Sequence, residues 1–273
     1  TKRDFIGSYN PLTKAFDRSN RKMFDALNIM DLETKGNSTD MPLMILLDEA
    51  NLSPMEYYWA DFMNICDEID CTSVINLGDD FCFNVPNQLR FMATINNDHT
   101  TESLSPRLVD RAWVIRLPKV KSGMVRPVTV NADGNEVISW SALVSTYGVD
   151  TNGFVSLNGS AKDIYEELLN KCRAARISVS ARADAAIRRY WSTAQKLFEN
   201  DSNYGTDASI VALDYAVAQR ILPHINGSGV KYGECLKDIY KFCSEKNLRI
   251  SAEILSDIVK NGEDSMQYFQ FFA

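Results

Sequence analysis

The stretch MILLDE at residues 44–49 decides the fold. An unbroken run of four apolar residues is typical of a parallel strand that is buried on both faces. Ligands of α/β proteins bind at the carboxyl ends of such strands, so the run brings Asp48 and Glu49 to the open edge of a sheet. Asp48 is suited to hold Mg²⁺ through water there, and Glu49 to orient or deprotonate an attacking water. The alternative is an ordinary solvated Asp-Glu pair on the surface.

Strands and helices alternate around this stretch. Residues 89–95 and 112–117 form two further apolar runs, and the first of them is separated from residues 41–47 by a helix that Ser53 can cap. Strands separated by helices indicate an α/β layer fold. The sequence therefore predicts an α/β domain over residues 1–118.

The rest of the chain changes character twice. In residues 119–172 an Asp-Gly pair lies between two short apolar runs, which predicts a β-hairpin, and we interpret this range as an insertion. Residues 173–273 carry apolar side chains at helical spacing, which predicts an all-helical domain. Gly262 is expected to cap the end of the last helix.

Polar residues stand where the second and third runs end or begin. Asn96 follows the second run, and its amide can hydrogen-bond an attacking water or a terminal phosphate, although Asn is also a routine turn residue. Arg107 and Arg111 precede the third run, where an arginine can reach the phosphates bound by a neighbouring subunit. The alternative for these arginines is a surface ion pair with Asp110.

A fourth signal is the segment VSAR at residues 179–182, at the start of the first helix of the helical domain. Arg182 can contact a terminal phosphate from that side, and a solvated arginine at the start of a helix is the alternative.

In this order and spacing, the four signals resemble Walker B, sensor 1, the arginine finger and sensor 2 of the AAA+ superfamily. The chain is most similar to the McrB-like and MoxR-like branch. The segments that carry the resemblance are IGSYNPLT (6–13), LDEANL (47–52), VPN (85–87), MATIN (92–96), SARA (180–183) and ILPHINGS (221–228). They span about residues 1–118 and 177–228, and the resemblance implies a P-loop-type α/β core with a parallel sheet, followed by a helical lid.

The resemblance also implies a nucleoside triphosphatase that uses Mg²⁺ with ATP or GTP. Asp48, which holds the Mg²⁺ through water, and Arg182 would bind nucleotide, and Glu49 and Asn96 would act on the attacking water. The finger is Arg111 or Arg107, with Arg111 favoured. Such motors form homo-oligomeric rings, commonly hexamers, and McrB-like proteins restrict DNA together with a nuclease partner. A MoxR-like chaperone and a non-catalytic AAA-like interaction module are the alternatives.

One element of the family is missing from the sequence. No Gly-Lys pair occurs in the 273 residues, which excludes the phosphate-binding loop GxxxxGK[ST]. We therefore expect this chain to be a piece that begins just after the P-loop helix. Its sheet is then incomplete, because the family places the P-loop strand between the sensor 1 strand and the last strand.

Composition limits the partners. The net charge of −7 gives no broad electrostatic footprint for nucleic acid, so contact with DNA is expected to be indirect. The six cysteines form no CxxC pair, which argues against a zinc site and for reduced cysteines in the cytoplasm. No apolar run reaches the roughly 18 residues of a membrane span.

Overall fold

The computed structural model describes residues 5–17, 20–36, 40–63, 73–76, 82–86, 88–96, 101–117, 138–147, 155–199 and 207–272. Within them the protein is mixed α/β, with small parallel and antiparallel sheets. The helices are α1 (Arg21–Thr34), α2 (Met55–Met63), α3 (Pro106–Val109), α4 (Trp140–Tyr147), α5 (Gly159–Ala174), α6 (Ala181–Phe198), α7 (Ala208–Arg220), α8 (Val230–Glu245) and α9 (Arg249–Asp264). The strands are β1 (Ser8–Asn10), β2 (Ala15–Asp17), β3 (Leu43–Leu47), β4 (Ser73–Asn76), β5 (Cys82–Val85), β6 (Leu89–Ala93), β7 (Asn226–Ser228) and β8 (Tyr268–Gln270). None of these helices is long and apolar enough to cross a membrane.

Strands β3 and β6 pair in parallel, with Leu47 opposite Ala93. One face of the pair packs on the apolar cluster of the α/β part, where the ring of Phe91 lies 5.1 Å from that of Trp59 in α2. The opposite face carries Met44 and Leu46, which are exposed. The predicted strands are therefore confirmed, but among the described residues β3 is buried on one face only.

The prediction of a third strand over residues 112–117 is wrong. The segment is irregular and pairs with no strand among the described residues. A run of apolar residues becomes a strand only when a neighbouring strand is there to pair with it. Here the backbone N–H of Val114 donates instead to the carbonyl of Gln219 in α7, 3.1 Å away, and Leu117 is 81% exposed.

Helices α5 to α9 form a second apolar cluster, which we call the helical cluster. Helix α5 lies almost entirely inside the range predicted as an insertion, yet it buries Tyr165 and Leu168 in this cluster. The helical part therefore begins near Leu157 instead of residue 173. It is not all helical, because β7 and β8 form an antiparallel pair. The predicted hairpin around residues 128–138 lies almost wholly outside the described residues.

Gly262 does not cap the end of a helix as predicted. It lies within α9, two residues before the helix ends, where the buried ring of Phe269 packs against its backbone. A Cβ at this position would lie 2.1 Å from Phe269 Cδ1. The glycine is required by close packing across the helix, and the sequence pattern does not reveal that contact.

Asp214 of α7 caps helix α9 from outside that helix. Its buried carboxylate accepts hydrogen bonds from the backbone N–H groups of Ile250 (2.8 Å) and Ser251 (2.9 Å) in the first turn of α9. Such N–H groups have no partner within their own helix. Burial raises the pKa of Asp214, although the hydrogen bonds from Ser251 and Ile250 oppose this shift.

We expect Asp214→Ala to lower the free energy of unfolding by about 2–3 kcal/mol at neutral pH, because two first-turn N–H groups lose their acceptor. The pKa of Asp214 is higher in the folded chain than its unfolded value of 3.8. Only the part of its contribution that is linked to protonation depends on pH: this part is fully present below that value and is lost as the pH rises through the folded pKa, while the two hydrogen bonds remain. Urea unfolding across pH should show the wild type and Asp214→Ala converging as the pH rises. Divergence would contradict the assignment. Asp163→Ala, an exposed aspartate on α5, should cost less than about 0.5 kcal/mol.

Candidate functional site

The carboxyl ends of β3 and β6 meet side by side. Beyond the paired residues, the N–H of Thr94 donates to the carbonyl of Leu47, and the N–H of Ala50 donates to the carbonyl of Thr94, both over 2.9 Å. Asp48 and Glu49 therefore lie next to the end of the second strand, as the sequence predicts for two parallel neighbours.

Thr94 joins the two acidic residues. Its hydroxyl donates to Asp48 Oδ1 over 2.5 Å and accepts from the backbone N–H of Glu49 over 2.8 Å. Glu49 has φ 49° and ψ 45°, a left-handed conformation that is uncommon outside glycine. Thr94 thus fixes both the Asp48 carboxylate and the tight turn that presents Glu49. The sequence reasoning missed this residue, although the strand register places it opposite Asp48.

Asn51 connects this turn to the predicted sensor residue. Its side chain is 5% exposed, and Nδ2 donates to the carbonyls of Asn96 (2.7 Å) and Glu102 (3.1 Å). Its Oδ1 accepts from the N–H of Asn96 over 3.1 Å. Both backbone groups of Asn96 are therefore held by one buried amide, while the Asn96 side chain remains exposed. Asn51 was also missed, because its role depends on a contact across 45 residues of chain.

The exposed carboxylates of Asp48 and Glu49 form no ion pair within the described part of the chain. They would repel a phosphate unless a cation lies between. No group of three or more His, Cys, Asp or Glu among the described residues is placed to hold a metal. Mg²⁺ commonly uses one or two carboxylates together with waters and phosphate oxygens, and this pair fits that pattern.

Of the two candidate finger residues, Arg107 lies in the short helix α3 and Arg111 follows that helix. Ser105 caps this helix by accepting from the N–H of Leu108, and Leu108 is buried. Arg107 is exposed, and Arg111 donates through Nη1 to the carbonyl of Arg107 over 3.0 Å.

Arg182 lies at the start of α6, where Ser180 caps the helix by accepting from the N–H of Ala183 over 3.0 Å. Arg182 forms an ion pair with Asp110, with 2.6 Å between Nη1 and Oδ2. The sequence left open an ion pair between Asp110 and either Arg107 or Arg111. In the structure Asp110 pairs with Arg182. The predicted site residues therefore fall into two groups. The acidic group consists of Asp48, Glu49 and Asn96, and the arginine group consists of Arg107, Arg111 and Arg182 around Asp110.

Two further residues of α7 and the turn after it lie near Asp110 and were missed. Arg220 is buried and donates to backbone carbonyls of the segment that contains Arg111. His224 is half-buried, and burial lowers its pKa, while the charge of Asp110 opposes and that of Arg220 adds to this shift. Neither residue carries a sequence signal beyond its place, which is within the ILPHINGS segment for His224 and directly before it for Arg220.

Comparison with known families gives one match. The family described as "Domain of unknown function (DUF8727)" matches residues 141–268, which is somewhat less than half of the chain. The matched range covers the helical cluster, including Arg182 and Arg220, but not the acidic group or Arg111. No curated protein and no solved structure matched the chain.

Proposed function

We propose that this chain is the Walker B, sensor 1 and lid part of a McrB-like AAA+ nucleoside triphosphatase. The observation that carries the proposal is the parallel pairing of β3 with β6, which sets Asp48 and Glu49 beside Thr94 and Asn96. Two carboxylates and an amide at adjacent strand ends suit the activation of a water for attack on a phosphate.

In this proposal each residue of the acidic group has a separate task. Asp48 would hold Mg²⁺, and the ion would neutralise phosphate charge when bound. Glu49 orients and deprotonates the attacking water, and Asn96 hydrogen-bonds that water or the terminal phosphate. Thr94 and Asn51 hold these residues in place through the contacts described above.

Arg182 must leave Asp110 before it can contact a phosphate. The pair is partly solvated, with the Arg182 side chain 37% exposed. Exposed ion pairs contribute only about 0–1 kcal/mol to stability, so little free energy is lost when Arg182 exchanges the Asp110 carboxylate for a phosphate. The observed pair is therefore compatible with a sensor 2 role.

The phosphate-binding loop is not among these residues, since no Gly-Lys pair occurs in them. The proposal therefore assigns the loop to residues outside the 273. Two observations are consistent with a strand that adds to the sheet beside β6. Within the described ranges β6 pairs with β3 alone, and residues 112–117 form no strand. Assembly into a ring and a nuclease partner are carried by the family resemblance alone.

A subunit-mixing experiment tests whether Arg111 is a finger that acts on the neighbouring subunit. In the form of the protein that carries the phosphate-binding loop, Arg111→Ala rings should lose turnover by about 10³-fold or more. Mixing them with Glu49→Gln subunits should restore part of it, because some interfaces then combine an intact Glu49 with an intact Arg111. Steady-state phosphate release measures the recovery.

Arg107→Ala is the matched control, one turn earlier on α3, and it should turn over like the wild type if Arg111 is the finger. Recovery by mixing with Arg107→Ala and not with Arg111→Ala would move the finger to Arg107. No recovery in either mixture would contradict a finger acting in trans, and absence of turnover in the wild type would favour the non-catalytic module. Stimulation of wild-type turnover by DNA would separate a restriction motor from a chaperone, whose turnover should not respond to DNA.

A further inference from the structure

Arg220, the last residue of α7, holds the backbone on both sides of Arg111. Nη1 donates to the carbonyl of Ala112 over 2.6 Å, and Nη2 donates to the carbonyl of Asp110 over 2.8 Å. The residue is 2% exposed. Burying a guanidinium costs free energy unless its donors are bonded, and these two carbonyls accept hydrogen bonds from both of its Nη atoms.

The same segment is attached to the helical cluster by further contacts. The guanidinium carbon of Arg220 lies 5.3 Å from the centre of the Trp113 ring, and that ring lies 4.8 Å from Tyr190 of α6. The N–H of Val114 donates to the carbonyl of Gln219 over 3.1 Å. The backbone around Arg111 is thus fixed by the helical part of the subunit.

A planar guanidinium is needed for this arrangement. It presents donors in a rigid fork, so two of its nitrogens can bond two carbonyls at once. A lysine carries its charge on a single nitrogen at the end of a flexible chain. It therefore cannot reproduce both hydrogen bonds with the same geometry. Arg220→Lys keeps the charge and removes the fork.

We infer that Arg220 is a positioning residue for the arginine finger. By holding the carbonyls of Asp110 and Ala112, it sets the direction in which Arg111 leaves the subunit toward the neighbouring site. The inference rests on the proposed function, because it requires Arg111 to act on a neighbour. Arg220 itself touches no substrate and acts through Arg111.

Subunit mixing distinguishes this role from a general structural one. Arg220→Lys rings that carry the phosphate-binding loop should lose turnover at least tenfold, with the KM for nucleotide within twofold of the wild type. Mixed with Glu49→Gln subunits, they should regain turnover. The Arg220→Lys subunit supplies an intact Glu49, and the Glu49→Gln subunit supplies a correctly held Arg111. In a random equal mixture, about a quarter of all subunit interfaces in the rings have this composition.

Arg116→Lys is the matched control. Arg116 lies in the same segment and bonds Asp257 of α9 over 2.9 Å, but its side chain does not bond the carbonyls beside Arg111. Its turnover should stay within twofold of the wild type. Circular dichroism and sedimentation of each variant show that the subunits fold and assemble.

The outcomes separate two failures. If Arg111→Ala recovers on mixing and folded Arg220→Lys does not, the inference about Arg220 is overturned while the proposed finger stands. If Arg111→Ala does not recover either, the finger itself is wrong. Should Arg220→Lys fail to fold, Trp113→Leu replaces it, because this partly exposed ring lies against the same guanidinium. It should show a smaller loss with the same recovery, and a loss without recovery would overturn the inference.

Discussion

Replacing Glu49 by Gln should abolish nucleotide turnover and leave nucleotide binding intact, in the form of the protein that carries the phosphate-binding loop. In the proposed function the substitution removes the carboxylate that orients and deprotonates water, and loss of a general base costs about 10²–10⁴-fold in rate. The Asp48 carboxylate and its hydrogen bond from Thr94 are untouched, because Thr94 meets Glu49 only through the backbone N–H. The metal-holding side of the site should therefore survive.

Phosphate release and nucleotide titration of the same preparation measure the two properties. Glu102→Gln is a suitable control, because Glu102 is exposed nearby and is held through its backbone by Asn51. It should turn over like the wild type. A Glu49→Gln variant that retains turnover within about threefold, or about 0.7 kcal/mol in the barrier, would remove Glu49 from the mechanism.

The elements that could be predicted are those specified by their own residues. The strands at Leu43–Leu47 and Leu89–Ala93, and the helices that follow Ser53 and Ser180, arise from local patterns, and the structure has them at nearly the predicted bounds. The meeting of Asp48 and Asn96 at one sheet edge could also be predicted, since parallel neighbours end on the same side.

The elements that could not be predicted depend on distant partners. Residues 112–117 form an apolar run that is typical of a strand, but that state requires a paired neighbour, and the segment bonds to α7 instead. A glycine at this point of the sequence is typical of a helix end, but Gly262 is required because the ring of Phe269 packs against it. Thr94 and Asn51 carry ordinary side chains whose roles arise only once β3 and β6 are in register. In each case the deciding contact is tertiary.

The 273 residues alone should bind neither Mg-ATP nor Mg-GTP to a measurable extent. Affinity in this class of site comes mainly from the phosphate-binding loop, whose backbone N–H groups, lysine and helix dipole all favour phosphate. None of these is present in the sequence, which has no Gly-Lys pair. The acidic pair Asp48 and Glu49 is repulsive without a cation, and Arg182 is engaged with Asp110.

The expected loss of nucleotide affinity depends on how much of the nucleotide still contacts the protein when the loop is absent. In the proposed function the arginines contact mostly the terminal phosphate, so these arginines and the acidic group together would still leave most of the triphosphate in water. Titration calorimetry with Mg-ATP and with Mg-GTP on the isolated chain should give no saturable heat. The same titration on the form that carries the loop is the positive control. A dissociation constant below about 10 µM for the isolated chain, worth roughly −7 kcal/mol, would mean that the phosphates bind to residues other than those assigned here.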